Sequence, residues 1–320
     1  MYGGISVERM KSEHIEAAAG LWQRQFSRFC GDECIFPFWE NSMRDIYGYL
    51  ASHAESGQGF TAMLENRVAG YFAYDTASFH GSGSAFVPFA GNAAEFQDRY
   101  YIFSALYKAA SQAWADAGIK NHYFTICLSD EAAKNWLFDL GFGSYVVDAF
   151  NIPGKAQKKP EAKDNIIIAR AQPDDFNNLF EIVNESCRYY SRAPLFLAKD
   201  HYFQADLEKL IKGGKVFIAK DSGAIIGFMN LSVAQDGDIF SMCGKGFGRI
   251  DEIGAYIKEE YRNKNVGAKL LSALNEYCAQ NGIPCVHVDF ESANLYGNRF
   301  WRKHFTPVML SLRRTLHNDM

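Results

Sequence analysis

Two tandem α/β domains, each with a mixed and mostly antiparallel sheet flanked by helices, are the fold that this sequence predicts. Three observations lead to this prediction. Patterns typical of strands and helices recur in the same order in both halves of the chain, and a polar segment separates the halves. In addition, 48% of the 320 residues are hydrophobic, which is enough for two separate cores.

Each half begins with a short β-rich run followed by a helix. Apolar residues recur at helical spacing over residues 15–29 in the first half and over 176–190 in the second. Ser12 and Asp174 stand just before these runs, where capping side chains are expected. The two halves therefore open with the same predicted βα unit.

A β hairpin follows in each half. Both hairpins have β-rich runs on either side of turn residues, and both have a glycine at the same place in the returning strand. The predicted strands are residues 60–64 and 68–72 in the first half, and 216–220 and 225–229 in the second.

A long helix, a strand, a final helix and a last strand complete each half. The long helices are predicted over 102–117 and 266–280, and each is followed by a glycine, Gly118 or Gly282. Apolar residues at 266, 270, 271, 274 and 278 fit one helical face. The later strands and helices are predicted at 122–128 and 131–140, and at 285–290 and 294–303.

The composition changes at residues 152–164 (IPGKAQKKPEAKD), which contain two prolines, a glycine and four lysines. This composition is typical of a linker between domains. The predicted organisation is therefore a first domain over 1–151, a linker over 152–164 and a second domain over 165–320.

Charge and cysteine content argue against several classes of protein. The net charge is −4 and no basic cluster stands out beyond the linker, so a nucleic-acid partner is not expected. The seven cysteines form no CxxC pair, which speaks against a disulfide framework or a structural zinc site. No membrane segment or signal peptide is recognisable, and we expect a cytoplasmic protein.

The segment 248–268 carries the clearest chemical pattern. An apolar strand is predicted over 250–257, a polar turn follows, and Gly267 lies at the start of the long helix. Unpaired N–H groups at a helix N-terminus attract phosphates, and a small residue lets a phosphate approach the backbone. Arg262 and Lys264 add positive charge to this turn.

This stretch resembles the acyl-CoA signature of the GNAT superfamily of N-acetyltransferases, Gln/Arg-x-x-Gly-x-Gly/Ala. The corresponding residues are Arg262-Asn263-Lys264-Asn265-Val266-Gly267, with Asn265 in place of the middle glycine. Asparagine tolerates the left-handed backbone conformation that such a glycine provides. The resemblance implies acetyl-CoA as co-substrate, with the diphosphate held by residues 262–268, including Ala268, and the thioester carbonyl polarised by the backbone of Ala255, Tyr256 and Ile257.

A second family motif, Asn-x-x-Ala-x-x-Phe-Tyr, resembles residues 294–301 (NLYGNRFW). The resemblance implies that Asn294 hydrogen-bonds the pantetheine arm. The tyrosine that commonly protonates the leaving thiolate is replaced by Trp301, whose indole N–H can donate a hydrogen bond but cannot act as a general acid at neutral pH.

The first half lacks this cofactor pattern. With Gly118 aligned on Gly282, Arg262 corresponds to Asp98, Asn265 to Tyr101 and Gly267 to Phe103. A carboxylate and two aromatic rings would then occupy the anion site. We therefore expect a GNAT-shaped first domain that has lost its cofactor.

Acetyl transfer to an amine needs a base, because the attacking nitrogen must be neutral. Asp251 and Glu252 lie where GNAT enzymes often place a carboxylate, Asp251 at the better-matching distance from Ile257. Both could equally be ordinary carboxylates at a strand end. His287 and His304 are weaker candidates. Aromatic residues at 189–190 and 202–203 could bind an amine by cation–π contact or could simply pack in the core.

Two functions remain open from the sequence. The first is an acetyl-CoA-dependent N-acetyltransferase that acts on a primary amine of a small molecule or peptide. The second is a non-catalytic acyl-CoA or ligand-binding module on the same scaffold, which the substitutions at Asn265 and Trp301 favour. The acceptor and the oligomeric state are not readable from the sequence.

Overall fold

A computed structural model describes residues 4–29, 42–79, 81–154, 165–197 and 201–317. The chain divides into two compact units. Unit 1 contains residues 1–148, 238–242 and 307–320, and unit 2 contains 149–237 and 243–306. Most of the predicted linker lies outside the described residues. The predicted domains 1–151 and 165–320 stay a prediction, and the units differ from them in assigning the end of the chain to unit 1.

The first half of the chain contains four α-helices and eight strands within its described residues. The helices are α1 (Ile15–Phe29), α2 (Ser42–Glu55), α3 (Arg99–Asp116) and α4 (Glu131–Asp139). The strands are β1 (Ile5–Arg9), β2 (Gly59–Leu64), β3 (Arg67–Ala73), β4 (Asp75–Phe79), β5 (Ser82–Val87), β6 (Asn92–Ala94), β7 (Asn121–Cys127) and β8 (Gly143–Asn151).

The second half follows a similar order. Its helices are α5 (Phe176–Tyr190), α6 (Gln204–Lys212), α7 (Val266–Gln280) and α8 (Leu295–His304). Its strands are β9 (Ile167–Arg170), β10 (Val216–Asp221), β11 (Ala224–Asn230), β12 (Ser232–Val233), β13 (Gly248–Ile250), β14 (Ala255–Ile257), β15 (Val286–Glu291) and β16 (Thr306–Thr315).

Unit 1 has two groups of strands. The first is an antiparallel sheet in the order β1-β2-β3-β6. The second has the order β8-β16-β7-β5-β4, in which β5 and β7 are parallel and β16 pairs antiparallel with β7. The closing strand of the second half is thus paired within unit 1, from Met309 opposite Cys127 to Thr315 opposite Asn121.

Unit 2 contains the antiparallel sheet β14-β11-β10-β9, and a second group in which β13 pairs antiparallel with β12 and parallel with β15. Its core lies between the first sheet and helices α5 and α6, with Leu179, Ile218 and Phe228 fully buried. The predicted α/β class with mixed, mostly antiparallel sheets is confirmed in both units. Among the described residues, no helix is long and apolar enough to cross a membrane.

The predicted strand over 250–257 is wrong, because the chain changes sheets inside it. β13 pairs with β15, whereas β14 pairs with β11. Between them, the Gly254 N–H donates to the Asp251 carbonyl oxygen at 2.7 Å, and Glu252 and Gly254 have positive φ of 55° and 66°. Asp251 and Glu252 therefore lie in a tight turn rather than within a strand.

Candidate functional site

A cleft of about 330 Å³ opens in unit 2 beside the edge strand β14, the start of α7 and the first turns of α8. Its walls include Ala255, Tyr256 and Ile257, the turn residues Arg262, Asn263 and Asn265, and Val266, Gly267 and Ala268 at the start of α7. Asn294 and Trp301 also line it. The structure therefore brings together nearly all of the residues for which the resemblance implies cofactor binding.

Strand β14 exposes main-chain groups to the cleft because it is the last strand of its sheet. The Asn230 N–H donates to the Gly254 carbonyl oxygen at 2.8 Å, and the Lys258 N–H donates to that of Ile226 at 3.0 Å. Alternate residues of an antiparallel strand bond to the same neighbour. The main-chain groups of Ala255 and Ile257 therefore point to the free edge, whereas those of Tyr256 point to β11.

The turn before α7 has the left-handed backbone conformation that is expected where asparagine replaces the glycine of the family motif. Asn265 is the N-cap of α7 with φ 60°, and Asn263 has φ 61°. The first helical bond is from the Lys269 N–H to the Asn265 carbonyl oxygen at 3.0 Å. The N–H groups of residues 264–268 have no partner within the described part of the chain, so they form a set of free donors at a helix N-terminus.

Gly267 lines the cleft, and the predicted approach of a diphosphate to its backbone stays a prediction. A Cβ built at this position would lie 3.0 Å from the ring of Phe300. The glycine therefore also allows α7 to approach α8 closely. Lys264 does not line the cleft; its ammonium group lies 5.2 Å from the centre of the Tyr261 ring.

Asn294 is the N-cap of α8, and its Oδ1 accepts hydrogen bonds from the Gly297 N–H and the Tyr189 hydroxyl, both at 3.1 Å. Its side chain thus fixes the helix start and one wall of the cleft. Trp301 is 8% exposed and packs against Phe300 and Phe305.

The two candidate bases have different surroundings. The Asp251 carboxylate accepts a hydrogen bond from the Ser232 hydroxyl at 2.7 Å and pairs with Arg249 at 3.3 Å. Burial, and then the nearby charge of Asp251, raise the pKa of Glu252 above its usual value. Neither side chain lines the cleft, although their neighbours Ile250 and Gly254 do.

The remaining candidate residues differ in their burial and in whether they line the cleft. His287 is 1% exposed and packs against Phe150, so it belongs to the core. His304 lines the cleft, and burial, followed by the charge of Lys303, lowers its pKa. Tyr189 and Tyr190 also line the cleft, whereas the Tyr202 hydroxyl bonds the Glu252 carbonyl oxygen and Phe203 is 76% exposed.

Sequence reasoning missed Glu185 and Tyr296. The Tyr256 hydroxyl donates to Glu185 Oε1 at 2.9 Å, and Tyr296 lies on the cleft wall. The spacing of four residues between Glu185 and Tyr189 would place both on one face of α5, which is a usable signal. Tyr296 reaches the cleft because of where α8 begins, and no residue spacing in the sequence indicates this.

The start of α3 in unit 1 is the counterpart of the start of α7. Asp98 is the N-cap of α3 with φ 58°, so it corresponds to Asn265 and not to Arg262. The predicted alignment was wrong at this point because α3 is three residues longer than α7. The next residue, Arg99, pairs at 2.5 Å with Asp130, which is the N-cap of α4 as Asn294 is of α8.

The sequence alignment predicts that Tyr101 and Phe103 occupy the anion site of the first copy. In the structure they do not. Tyr101 is 42% exposed and contacts Tyr100, and Phe103 is buried against Phe72 and Trp136. Arg99 lies at the helix start instead, where its buried guanidinium is paired with Asp130.

Residues 176–305 match the model of the acetyltransferase (GNAT) family. No curated protein sequence matches the chain significantly. The fold resembles the crystal structure of a GCN5-related N-acetyltransferase from Sphaerobacter thermophilus, with a TM-score of 0.61 and 14% identity over 99% of this chain and 97% of that chain.

Two further solved structures are similar. A tandem GNAT protein from the clavulanic acid biosynthesis pathway gives a TM-score of 0.50 and 12% identity over 99% of this chain and 100% of that chain. A glucosamine N-acetyltransferase region in a fungal multi-domain GH3 β-N-acetylglucosaminidase gives 0.56 and 12% over 97% of this chain and 38% of that chain. At these identities the likeness concerns the fold, and it confirms the predicted tandem GNAT-like architecture.

Proposed function

Because residues 176–305 match the model of the acetyltransferase (GNAT) family, we propose that unit 2 transfers an acetyl group from acetyl-CoA to a primary amine of a small molecule or peptide. The observation that carries the proposal is the pair of unpaired main-chain donor sets on one cleft. One is the start of α7 after Asn265, and the other is the free edge of β14.

These donors fit the two charged or polarisable parts of acetyl-CoA. The N–H groups of 264–268 and the positive end of α7 suit a diphosphate. The outward-facing N–H groups of Ala255 and Ile257 suit a thioester carbonyl, on which negative charge grows during attack. When bound, acetyl-CoA would supply the activated acetyl group, and residues of the cleft would orient it.

Glu252 is the better candidate for the base that removes the ammonium proton. Its raised pKa makes the carboxylate a stronger base than an ordinary glutamate. Asp251 is already engaged by Ser232 and Arg249, and we assign it to holding the turn. Because Glu252 does not line the cleft, proton transfer would use an intervening water.

Trp301 cannot supply a proton to the leaving thiolate. Tyr189 and Tyr190 lie on the same cleft, and the Tyr189 hydroxyl donates a hydrogen bond to Asn294 Oδ1 at 3.1 Å. Burial keeps both protonated at neutral pH by raising their pKa values. Either can take the role that the family usually gives to the residue at Trp301.

The test combines acetyl-CoA binding with turnover. Titration calorimetry should show acetyl-CoA binding to the full chain, and release of free thiol should accompany incubation with a panel of primary amines. Asn265→Pro, which is incompatible with a positive φ, is the matched variant that should lose binding. Binding without turnover on any amine would favour the non-catalytic binding module, and an absence of binding would exclude both functions.

A further inference from the structure

The guanidinium group of Arg262 lies in the cleft among three tyrosine rings. It is 4.6 Å from the ring centre of Tyr189, 5.6 Å from that of Tyr256 and 4.9 Å from that of Tyr296. We call these three residues the tyrosine cage. All of them line the same cleft as β14 and the start of α7.

Arg262 is held in the cage by weak contacts. Its Nε donates a hydrogen bond to the Ile257 carbonyl oxygen at 3.2 Å. Within the described ranges of the chain it forms no ion pair with a carboxylate. A half-buried cation that is held by rings, one carbonyl oxygen and a hydrogen bond to the Tyr256 hydroxyl can leave when a stronger anionic partner, such as a diphosphate, arrives at the same turn.

Carboxylates lie close to the tyrosine cage. Glu185 accepts the hydrogen bond of the Tyr256 hydroxyl at 2.9 Å. Burial is the main reason why the pKa of Tyr189 lies above its usual value, and the charges of Glu259 and Glu291 contribute to the same shift. Departure of Arg262 would therefore leave an aromatic site next to carboxylates with no cation in it.

We propose that the tyrosine cage binds a positively charged nitrogen of the acceptor, and that Arg262 occupies this place only until the cofactor draws it to the diphosphate. The inference rests on the proposed acetyltransferase function. Cation–π contact and nearby carboxylates favour the charged form of an amine, so the nitrogen in the cage is not the one that attacks. The acceptor is therefore an amine with a second cationic group, such as a diamine.

Steady-state kinetics can test the substrate class with 1,4-diaminobutane and butylamine, which differ only in the second nitrogen. The diamine should have the higher kcat/KM. Tyr296→Leu should raise the KM for the diamine about 3- to 30-fold, and Tyr296→Phe, which keeps the ring, should change it less than about 3-fold. Tyr100→Leu is the matched control, because Tyr100 is 49% exposed and Tyr296 is 51% exposed.

Titration calorimetry can test the role of Arg262 without turnover. The cofactor-free Arg262→Gln protein should bind 1,4-diaminobutane about 3- to 30-fold more tightly than the cofactor-free wild type, because its cage is empty. Adding CoA to the wild type should strengthen diamine binding in the same direction.

The outcomes separate the two proposals. Equal kcat/KM for diamine and monoamine, or equal diamine affinity of wild type and Arg262→Gln, would refute acceptor binding in the tyrosine cage. Neither result would contradict the proposed acetyl transfer. Tyr296→Leu could also lose as much affinity for acetyl-CoA as for the diamine. That result would assign the Tyr296 ring to the cofactor and would refute the proposal that the tyrosine cage binds the acceptor. Failure of the wild type to bind acetyl-CoA would refute the proposed function instead.

Discussion

The buried pair of Arg99 and Asp130 should show strong energetic coupling in a double-mutant cycle. Their side chains are 6% and 3% exposed, and Arg99 Nη2 lies 2.5 Å from Asp130 Oδ2. The same guanidinium donates to Gln25 Oε1 at 2.8 Å and lies 4.7 Å from the ring centre of Phe103. Either partner alone would therefore be a charge in a largely apolar environment.

The magnitude follows from the cost of an unpaired buried charge. Arg99→Met and Asp130→Asn should each lower the free energy of unfolding by about 3–5 kcal/mol. In the double variant no charge remains, methionine fills much of the space, and asparagine caps a helix as well as aspartate does. The double variant should therefore lose much less than the sum of the single losses, with a coupling energy of about 3 kcal/mol or more.

Urea denaturation followed by circular dichroism and tryptophan fluorescence measures the cycle. Trp22 and Trp114, both about 1% exposed, report on unit 1. Gln112→Ala on the exposed face of α3 is the control for a lost side-chain hydrogen bond. Additive single losses, with coupling below about 0.5 kcal/mol, would contradict the account of a desolvated, energetically coupled pair.

Three further changes test the second copy. If Glu252 is the base, kcat/KM for the amine should fall as the pH drops through its raised pKa; Glu252→Gln should abolish that dependence in a pH–rate profile, and Asp251→Asn should retain it. Gly267→Ala should destabilise unit 2 by about 1–2 kcal/mol in urea, because the added Cβ meets Phe300, and Phe300→Leu should restore most of the loss. Asn265→Gly should retain acetyl-CoA affinity in calorimetry, whereas Asn265→Ala, which is costly at φ 60°, should weaken it; equal affinities would refute the need for a left-handed N-cap.

Local sequence determined several helices well. The bounds of α1, α5 and α7 agree with the predicted 15–29, 176–190 and 266–280. In these segments the apolar spacing is regular, and Gly282, with φ 66°, ends the last of them. Such features depend on residues a few positions apart, so they are visible in the sequence.

Features that depend on distant partners were not visible. Nothing near residues 251–254 shows that β13 pairs with β15 while β14 pairs with β11. The pairing of β16 with β7 joins residues more than 180 positions apart. The extra turn at the start of α3 is also not visible, because aligning the glycines that follow the two helices matches their ends and not their starts.

The two long helices begin with the same backbone conformation, so a difference in cofactor binding between the copies would have to come from their side chains. Asp98 and Asn265 have nearly the same left-handed conformation, with φ of 58° and 60°, at the start of α3 and α7. The difference lies in the residue that follows. Val266 presents an apolar wall to an open cleft, whereas Arg99 turns back to bond the N-cap of the next helix.

In the second copy, the arginine comes before the helix rather than at its first position. From there Arg262 reaches the tyrosine cage, where weak contacts hold it, and not a carboxylate that would fix it. A buried ion pair is costly to break, and a cation–π contact on a cleft wall is not. The same type of side chain, displaced by a few residues, is therefore fixed in a buried ion pair in the first copy and, on our proposal, can leave its contacts in the second.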